Sequence, residues 1–281
     1  MPVVLTELDS SKLTAAWSFC TLLLPLIKVY GFAAQWEKLD LKKITGDPNT
    51  PAASVSNTDG ILYYPVGPPY LATVPDMYNI ASHWAKYVPG TYEQYPHLLA
   101  EMFAFCIAAA HLEMPFQLIN SLMISDVQSS QAEGWPLIDK IPADNVCSVA
   151  RGILNRQSGP QTTDEEFFLP NVVHLCQRYS LGEDWFFGKR AVPSDIYECT
   201  APLFDEPPDN VAVSFDYKYP PNGKKEKLSP KEVTRNAFMI CYLSRLVNEA
   251  ATFYKKAIGC ESSEQPSEAR NLARYMREKK H

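Results

Sequence analysis

The sequence lacks the short signatures that mark several common chemistries. It contains no G-x-S-x-G, no H-E-x-x-H, no P-loop and no G-x-G-x-x-G, which disfavours the serine hydrolase, zinc peptidase, NTPase and dinucleotide-binding classes. Glycine is scarce beside proline, 12 against 23, a balance that suits stiff, irregular connections better than glycine-cradled phosphate loops. There is no C-x-x-C among the seven cysteines, so neither a zinc site nor a thioredoxin-type centre is indicated. No basic stripe offsets a formal net charge of -6, which argues against a nucleic-acid partner bound through its phosphates. The best apolar run, Ala15 to Ile27, is thirteen residues long and interrupted by Pro25. That is short of the roughly 20 residues a spanning helix needs, and its acidic flank (Glu7, Asp9) is unlike a signal peptide.

What is present is an ordinary globular composition, 46% hydrophobic and 21% charged over 281 residues, enough for one large domain or two small ones with a sizeable core. Periodicity predicts a mixed α/β chain whose helices are better marked than its strands. A short strand is expected at Lys28 to Trp36, and an ordered surface loop at Ile44 to Val66. A helix is expected from about Val74 to Val88, with Thr73, Pro75 and Asp76 forming its start, followed by an apolar stripe at Met77, Ile80, Ala81, Trp84, Ala85 and Val88. A second helix, His97 to Glu113, is apolar nearly all round and therefore buried, and Pro115 ends it. Asn120 to Ser125 and Asn171 to Gln177 read as strands, joined by a long connection. Pro202 to Lys227 reads as a linker or arm. The last helix starts at Ser229-Pro230-Lys231-Glu232 and runs to about Ala257, and the polar tail from Glu261 to His281 reads as a fraying helix.

Cys106 and Cys241 lie in apolar helical patterns, where a small buried thiol is expected. Cys147, Cys176, Cys199 and Cys260 lie in or near loops and are free to pair in an oxidising compartment. Glu101 sits mid-helix in apolar surroundings, where a carboxylate needs a partner or a cleft; it reads either as a substrate contact or as a structural acceptor. His174 ends an apolar strand, as a metal ligand, proton acceptor or packing residue. Arg178, Lys189 and Arg190 bracket Trp185-Phe186-Phe187-Gly188, which suits either a phosphorylated, ring-containing ligand or a plain amphipathic surface. His111, at a helix C-terminus, reads as structural with its charge favoured there. The Gly67-Pro68-Pro69-Tyr70 loop is a sugar-stacking platform or a stiff turn.

Taken in order, the segments GPPYLATVPDMYNIASHW, LLAEMFAFCIAAAHL, SLMIS, VVHLCQRY, WFFGKR, PLFDEPP and NAFMICYLSRLVNEAATFY resemble the plant and algal hydroxyproline O-arabinosyltransferase and peptidyl-serine α-galactosyltransferase family, over about Tyr30 to Tyr254. The resemblance implies a nucleotide-sugar transferase of the GT-A type, an α/β Rossmann-like sandwich with a helical C-terminal extension. It further implies a UDP-sugar donor, a divalent metal (Mn or Mg), a hydroxyproline or serine acceptor on a glycoprotein, and the secretory pathway, namely the Golgi. On this likeness Glu101 faces the sugar and acceptor as the catalytic acid, and His174 is the metal or diphosphate ligand. Arg178, Trp185 and Lys189 hold the donor, and Gly67 and Tyr70 the acceptor sugar. Such enzymes carry an Asp-x-Asp metal motif upstream of YGFAAQW, and residues 1–29 contain none. The chain thus reads as a divergent segment (1–29), the C-terminal part of the transferase domain (30–205), and a proline-rich arm with a helix (206–281). The alternative is a non-catalytic binding module of the same fold.

Overall fold

In the computed structural model the described residues are 38–65, 70–97, 99–117, 119, 122–129, 133–156, 170–219, 223–261 and 268–279. The strand expected at Lys28 to Trp36, the apolar run Ala15 to Ile27, Cys20 and Gly67 lie outside them.

The helices are α1 (Leu41–Thr45), α2 (Asn57–Tyr63), α3 (Val74–Gln94), α4 (Ala100–His111), α5 (Trp135–Ile138), α6 (Val146–Arg156), α7 (Val211–Ser214), α8 (Pro230–Ala257) and α9 (Leu272–Glu278). The strands are β1 (Met123–Ile124), β2 (Val172–Val173), β3 (Tyr179–Leu181), β4 (Trp185–Phe187), β5 (Tyr217–Lys218) and β6 (Glu226–Lys227). Among the described residues they form three two-stranded sheets: β1 with β2 in parallel, and the antiparallel pairs β3–β4 and β5–β6. Of the Rossmann-like sandwich expected from the sequence, the described residues show one parallel pair.

The apolar side chains sort into two cores. The first is built from residues 39–116 around α3 and α4. Thr73 caps α3 by accepting from the Asp76 amide, as its spacing predicts. The helix does not stop before Pro89 but runs to Gln94. Tyr87 and Thr91 are buried on either side of the proline, and Gly90 passes so close to Ile44 that an added Cβ would stand 3.5 Å from its Cα. Tertiary packing thus outweighs the amide the proline lacks. In α4, Ala104, Ala108, Ala109 and Ala110 are fully buried, and their small side chains admit close neighbours. Phe103 and Phe105 fill the remaining space edge-on against Tyr95 and Trp84, at 4.9 and 5.5 Å between ring centres. The expected loop at 44–66 is partly helical, holding a 3-10 turn at Pro51–Ser54 and α2. Ser56 caps α2 through the Asp59 amide.

The second core runs from Ile124 to Ala273 and has α8 at its centre. It crosses the boundary expected at 205/206, so α8 is interior structure rather than an extension. Its Ser229–Glu232 capping box is complete, and 28 helical residues make it about 42 Å long. Two of its buried asparagines serve backbone groups elsewhere. Asn236 Oδ1 accepts from the Ser180 amide of β3 at 3.0 Å, and Asn248 holds both the N–H and the C=O of Phe204. That clamp, a bridge from Phe204 to Arg270 and the β5–β6 hairpin give Pro202 to Lys227 a fixed course; the linker expected there is packed structure. At the β3–β4 turn Gly182 has φ 62°, and a Cβ would lie 2.8 Å from the Phe215 ring. Only glycine meets both conditions.

Two disulfides close this core, Cys147–Cys241 between α6 and α8, and Cys199–Cys260 beyond the end of α8. Cys241, expected as a buried thiol, is therefore bonded; an apolar helical pattern is equally compatible with a half-cystine facing a neighbouring helix. Cys106 and Cys176 are free, and burial pushes the Cys106 thiol up to about 12. Near Cys199, the wholly buried Lys255 donates from Nζ to the Ala201 carbonyl at 2.5 Å. Burial lowers its pKa against the opposing pull of Asp195. The tail also packs: α9 lies against β4, and Arg270 makes paired hydrogen bonds to Asp195 at 2.7 and 2.8 Å. No helix of the described residues is long and apolar enough to cross a membrane.

Candidate functional site at the carboxyl ends of the parallel pair

Met123 and Ile124 pair in register with Val172 and Val173, and the His174 amide continues the ladder by donating to the Ile124 carbonyl at 2.9 Å. Both strands therefore end at one edge, β1 into Ser125-Asp126 and β2 into His174-Leu175-Cys176. The crevice outside the carboxyl ends of parallel strands is where open α/β sheets hold ligands.

A buried acid organises this edge. Glu133 is 6% exposed, and its carboxylate accepts from the Ser125 amide, from the Ser125 hydroxyl at 2.7 Å and from the Asp126 amide at 3.2 Å. Three donors from two successive residues offset the desolvation of the carboxylate and fix the turn where β1 ends. The Ser125 carbonyl is held from the other side by the Tyr179 hydroxyl at 2.7 Å and by Gln177 Nε2 at 3.3 Å. The segment that follows is bolted to α8. Arg235 makes a bidentate pair with Asp139 at 2.7 and 2.6 Å, donates to the carbonyls of Val127 and Ser129, and lies 5.2 Å from the Trp135 ring centre.

His174 is half-buried at this edge. The neighbouring Cys176 is exposed, and its thiol is raised above its ordinary value by partial desolvation, against a Ser125 hydrogen bond that lowers it. It is therefore a poor thiolate nucleophile at neutral pH. Arg178 lies over the Phe186 ring at 4.3 Å, an arrangement Gly188 permits, since a Cβ there would come within 3.1 Å of the ring. Trp185 is half-buried against the second core, and Lys189 is exposed at the head of the 3-10 turn that follows β4.

The remaining predicted residues belong elsewhere. Glu101 is exposed in the first turn of α4, where the helix N-terminus favours a negative charge. The burial cost that made it a candidate does not arise, because the helix begins at Ala100 rather than His97. Its backbone carbonyl accepts from Trp84 Nε1 at 2.7 Å. Tyr70 packs its ring on Phe105, 4.2 Å between centres, and its hydroxyl donates to the Pro65 carbonyl at 3.3 Å. Both lie with the first core and His174 with the second, so the structure does not join them in one set of contacts. His111 is structural as expected, with Nδ1 2.9 Å from the Thr50 hydroxyl. Burial and then His83 lower its pKa, so the neutral ring is favoured, opposite to the charge a helix C-terminus alone would stabilise.

Among the described residues no group of three or more His, Cys, Asp or Glu side chains could hold a metal ion. The divalent ion implied by the family resemblance thus finds no complete ligand set there, and no step below is routed through it. Glu133 and Tyr179 are the organising residues that pattern reading missed; their shared partner Ser125, at the end of β1, lies 8 and 54 residues away in sequence, and no periodicity carries such a pairing. No family model, curated protein or solved structure matches the chain.

Proposed function

We propose that the chain handles a nucleotide sugar, as part of a transferase that moves a pentose or hexose from a UDP donor to a hydroxyproline or serine hydroxyl of a glycoprotein. The observation that carries the reading is the parallel pairing of β1 with β2. The segments SLMIS and VVHLCQRY, remote in sequence, are two of those on which the family resemblance rests, and their carboxyl ends lie side by side. His174 and Arg178 follow that edge directly. A diphosphate seated there would meet the imidazole and the guanidinium, with Lys189 supplying further positive charge and Trp185 an apolar flank. Glu133 and Tyr179 keep the Ser125–Asp126 backbone in place without touching the donor. Glu101 is given no step. The two disulfides support an oxidising compartment such as the secretory pathway.

Thermal unfolding with millimolar UDP, with and without Mn²⁺, tests the reading. A ligand that binds only the native state raises stability by about 2.7 kcal/mol at a hundredfold excess over its Kd. A rise in Tm that is lost in His174→Ala and Arg178→Ala is expected. Absence of any rise in the unsubstituted chain would remove the donor site. A rise without sugar transfer to a hydroxyproline or serine peptide would leave the binding module.

A further inference from the structure

Well along α8 from the proposed donor edge lies an open depression of about 400 Å³ lined by Leu203, Glu206, Arg245, Asn248, Glu249, Thr252 and Phe253. Asn236, which serves β3, and Glu249 are thirteen residues apart on one helix, or about 20 Å. The back of the depression is already paired, although the buried Nε atoms of Arg151 and Arg245 meet Glu206 as ion pairs without a hydrogen bond. Asn248 is spent on Phe204 and donates to Glu206 at 3.1 Å, and the Glu206 carboxylate sits between Arg151 Nε and Arg245 Nε at 3.2 and 3.3 Å. The front is not. Among the described residues the terminal nitrogens of Arg245, the Glu249 carboxylate and the Thr252 hydroxyl have no partner, and the Phe253 ring is 76% exposed. These four side chains follow one another at i, i+4, i+7 and i+8 and share one face of the helix.

We propose that this depression is a carbohydrate-binding subsite that takes a single sugar ring. The donor fork of Arg245 beside the Glu249 acceptor suits neighbouring hydroxyl groups, each of which both donates and accepts. An exposed aromatic ring at the rim offers an apolar platform to the C–H face of a pyranose. Charges of both signs lie in and behind the depression, so it attracts neither a strong anion nor a strong cation. The volume accommodates one or two rings and leaves the mouth open to a longer glycan. The subsite does not depend on the donor edge, and it would stand if the transferase reading fell.

Saturation-transfer NMR on the full chain with methyl β-galactopyranoside, methyl α-glucopyranoside and methyl arabinofuranoside is the test. The expected result is transfer to the ring protons with affinity in the millimolar range, weakened about tenfold or more in both Phe253→Ala and Glu249→Ala. Both positions are exposed, so these variants should keep the parent Tm and the parent response to UDP. No transfer from any of the three sugars overturns the proposal, as does transfer that both substitutions leave unchanged. Equal or tighter binding of a zwitterionic amino acid with the same sensitivity to both substitutions overturns the saccharide assignment.

Discussion

The two cores are held by different means. The first, residues 39–116, is an apolar assembly of two long helices and short flanking turns, in which the buried polar side chains among the described residues are threonines. The second has buried Glu133, Arg235, Asn236, Asn248 and Lys255, each with a partner, and two covalent closures. Apolar burial is non-directional and tolerates adjustment. Buried polar pairs demand geometry, and removing one partner strands the other. The first core therefore needs bulk and the second needs addresses, and it is the second that carries the parallel strand ends.

The largest way to separate the two is reduction. The disulfides close loops with separations of 94 and 61 residues, each contributing about 4–5 kcal/mol on the chain-entropy model. Limited proteolysis under increasing dithiothreitol should cut between 123 and 279 while the 39–116 region remains protected. Simultaneous cutting of both would make them one cooperative unit. Next comes Arg235→Ala, which leaves the half-buried Asp139 without its partner. A loss of about 3–5 kcal/mol is expected in denaturant unfolding, and Arg235→Lys should recover only part of it, because a lysine cannot supply the bidentate fork. In the first core Phe103→Ala should cost about 3–5 kcal/mol, with conservative Phe103→Leu much milder.

Acid gives a smaller contrast. His111 has its pKa lowered in the folded state, so near pH 6 the unfolded chain binds more protons than the folded one. The stability it confers is complete above the ordinary imidazole value and declines as pH falls through it. Asp195, held below the usual carboxylate range by Arg270, keeps its full contribution down to the ordinary carboxylate value and loses it progressively between that value and its lower folded one. Fluorescence-monitored unfolding from pH 7 to 3 should thus show the first core weakening before the second, and His111→Gln should flatten the earlier slope. The smallest effect is at the caps, with Thr73→Ala and Ser229→Ala each costing about 1 kcal/mol.

The same contrast explains what was readable in advance. Thr73 with Asp76 and Ser229 with Glu232 are local codes, and both helices begin where those codes place them. The burial of α4 follows from its composition, and the parallel strands lie within the segments assigned to strand. Misreadings arose where distant chain decides. Pro89 fails to end α3 because Ile44 packs beside it. Pro202 to Lys227 looks like a linker until Asn248 clamps it, and Cys241 looks like an inert thiol until Cys147 faces it. At the candidate site, His174 and Arg178 were visible as unusual residues in an apolar run, whereas Glu133 was not, because two of its three donors are backbone amides, which leave no trace in residue type. Glu101 drew notice through an assumed mid-helix position that the true helix start removes.

The order of the half-cystines also sets a timetable for biosynthesis. Cys147 leaves the ribosome 94 residues ahead of Cys241, about 5–20 s earlier at ordinary elongation rates. For that interval the Cys147 sulfur is without its partner, while the α3–α4 hairpin has already had time to collapse. Enzymes that shield nascent thiols are therefore expected to accompany the latter half of this polypeptide and not the former.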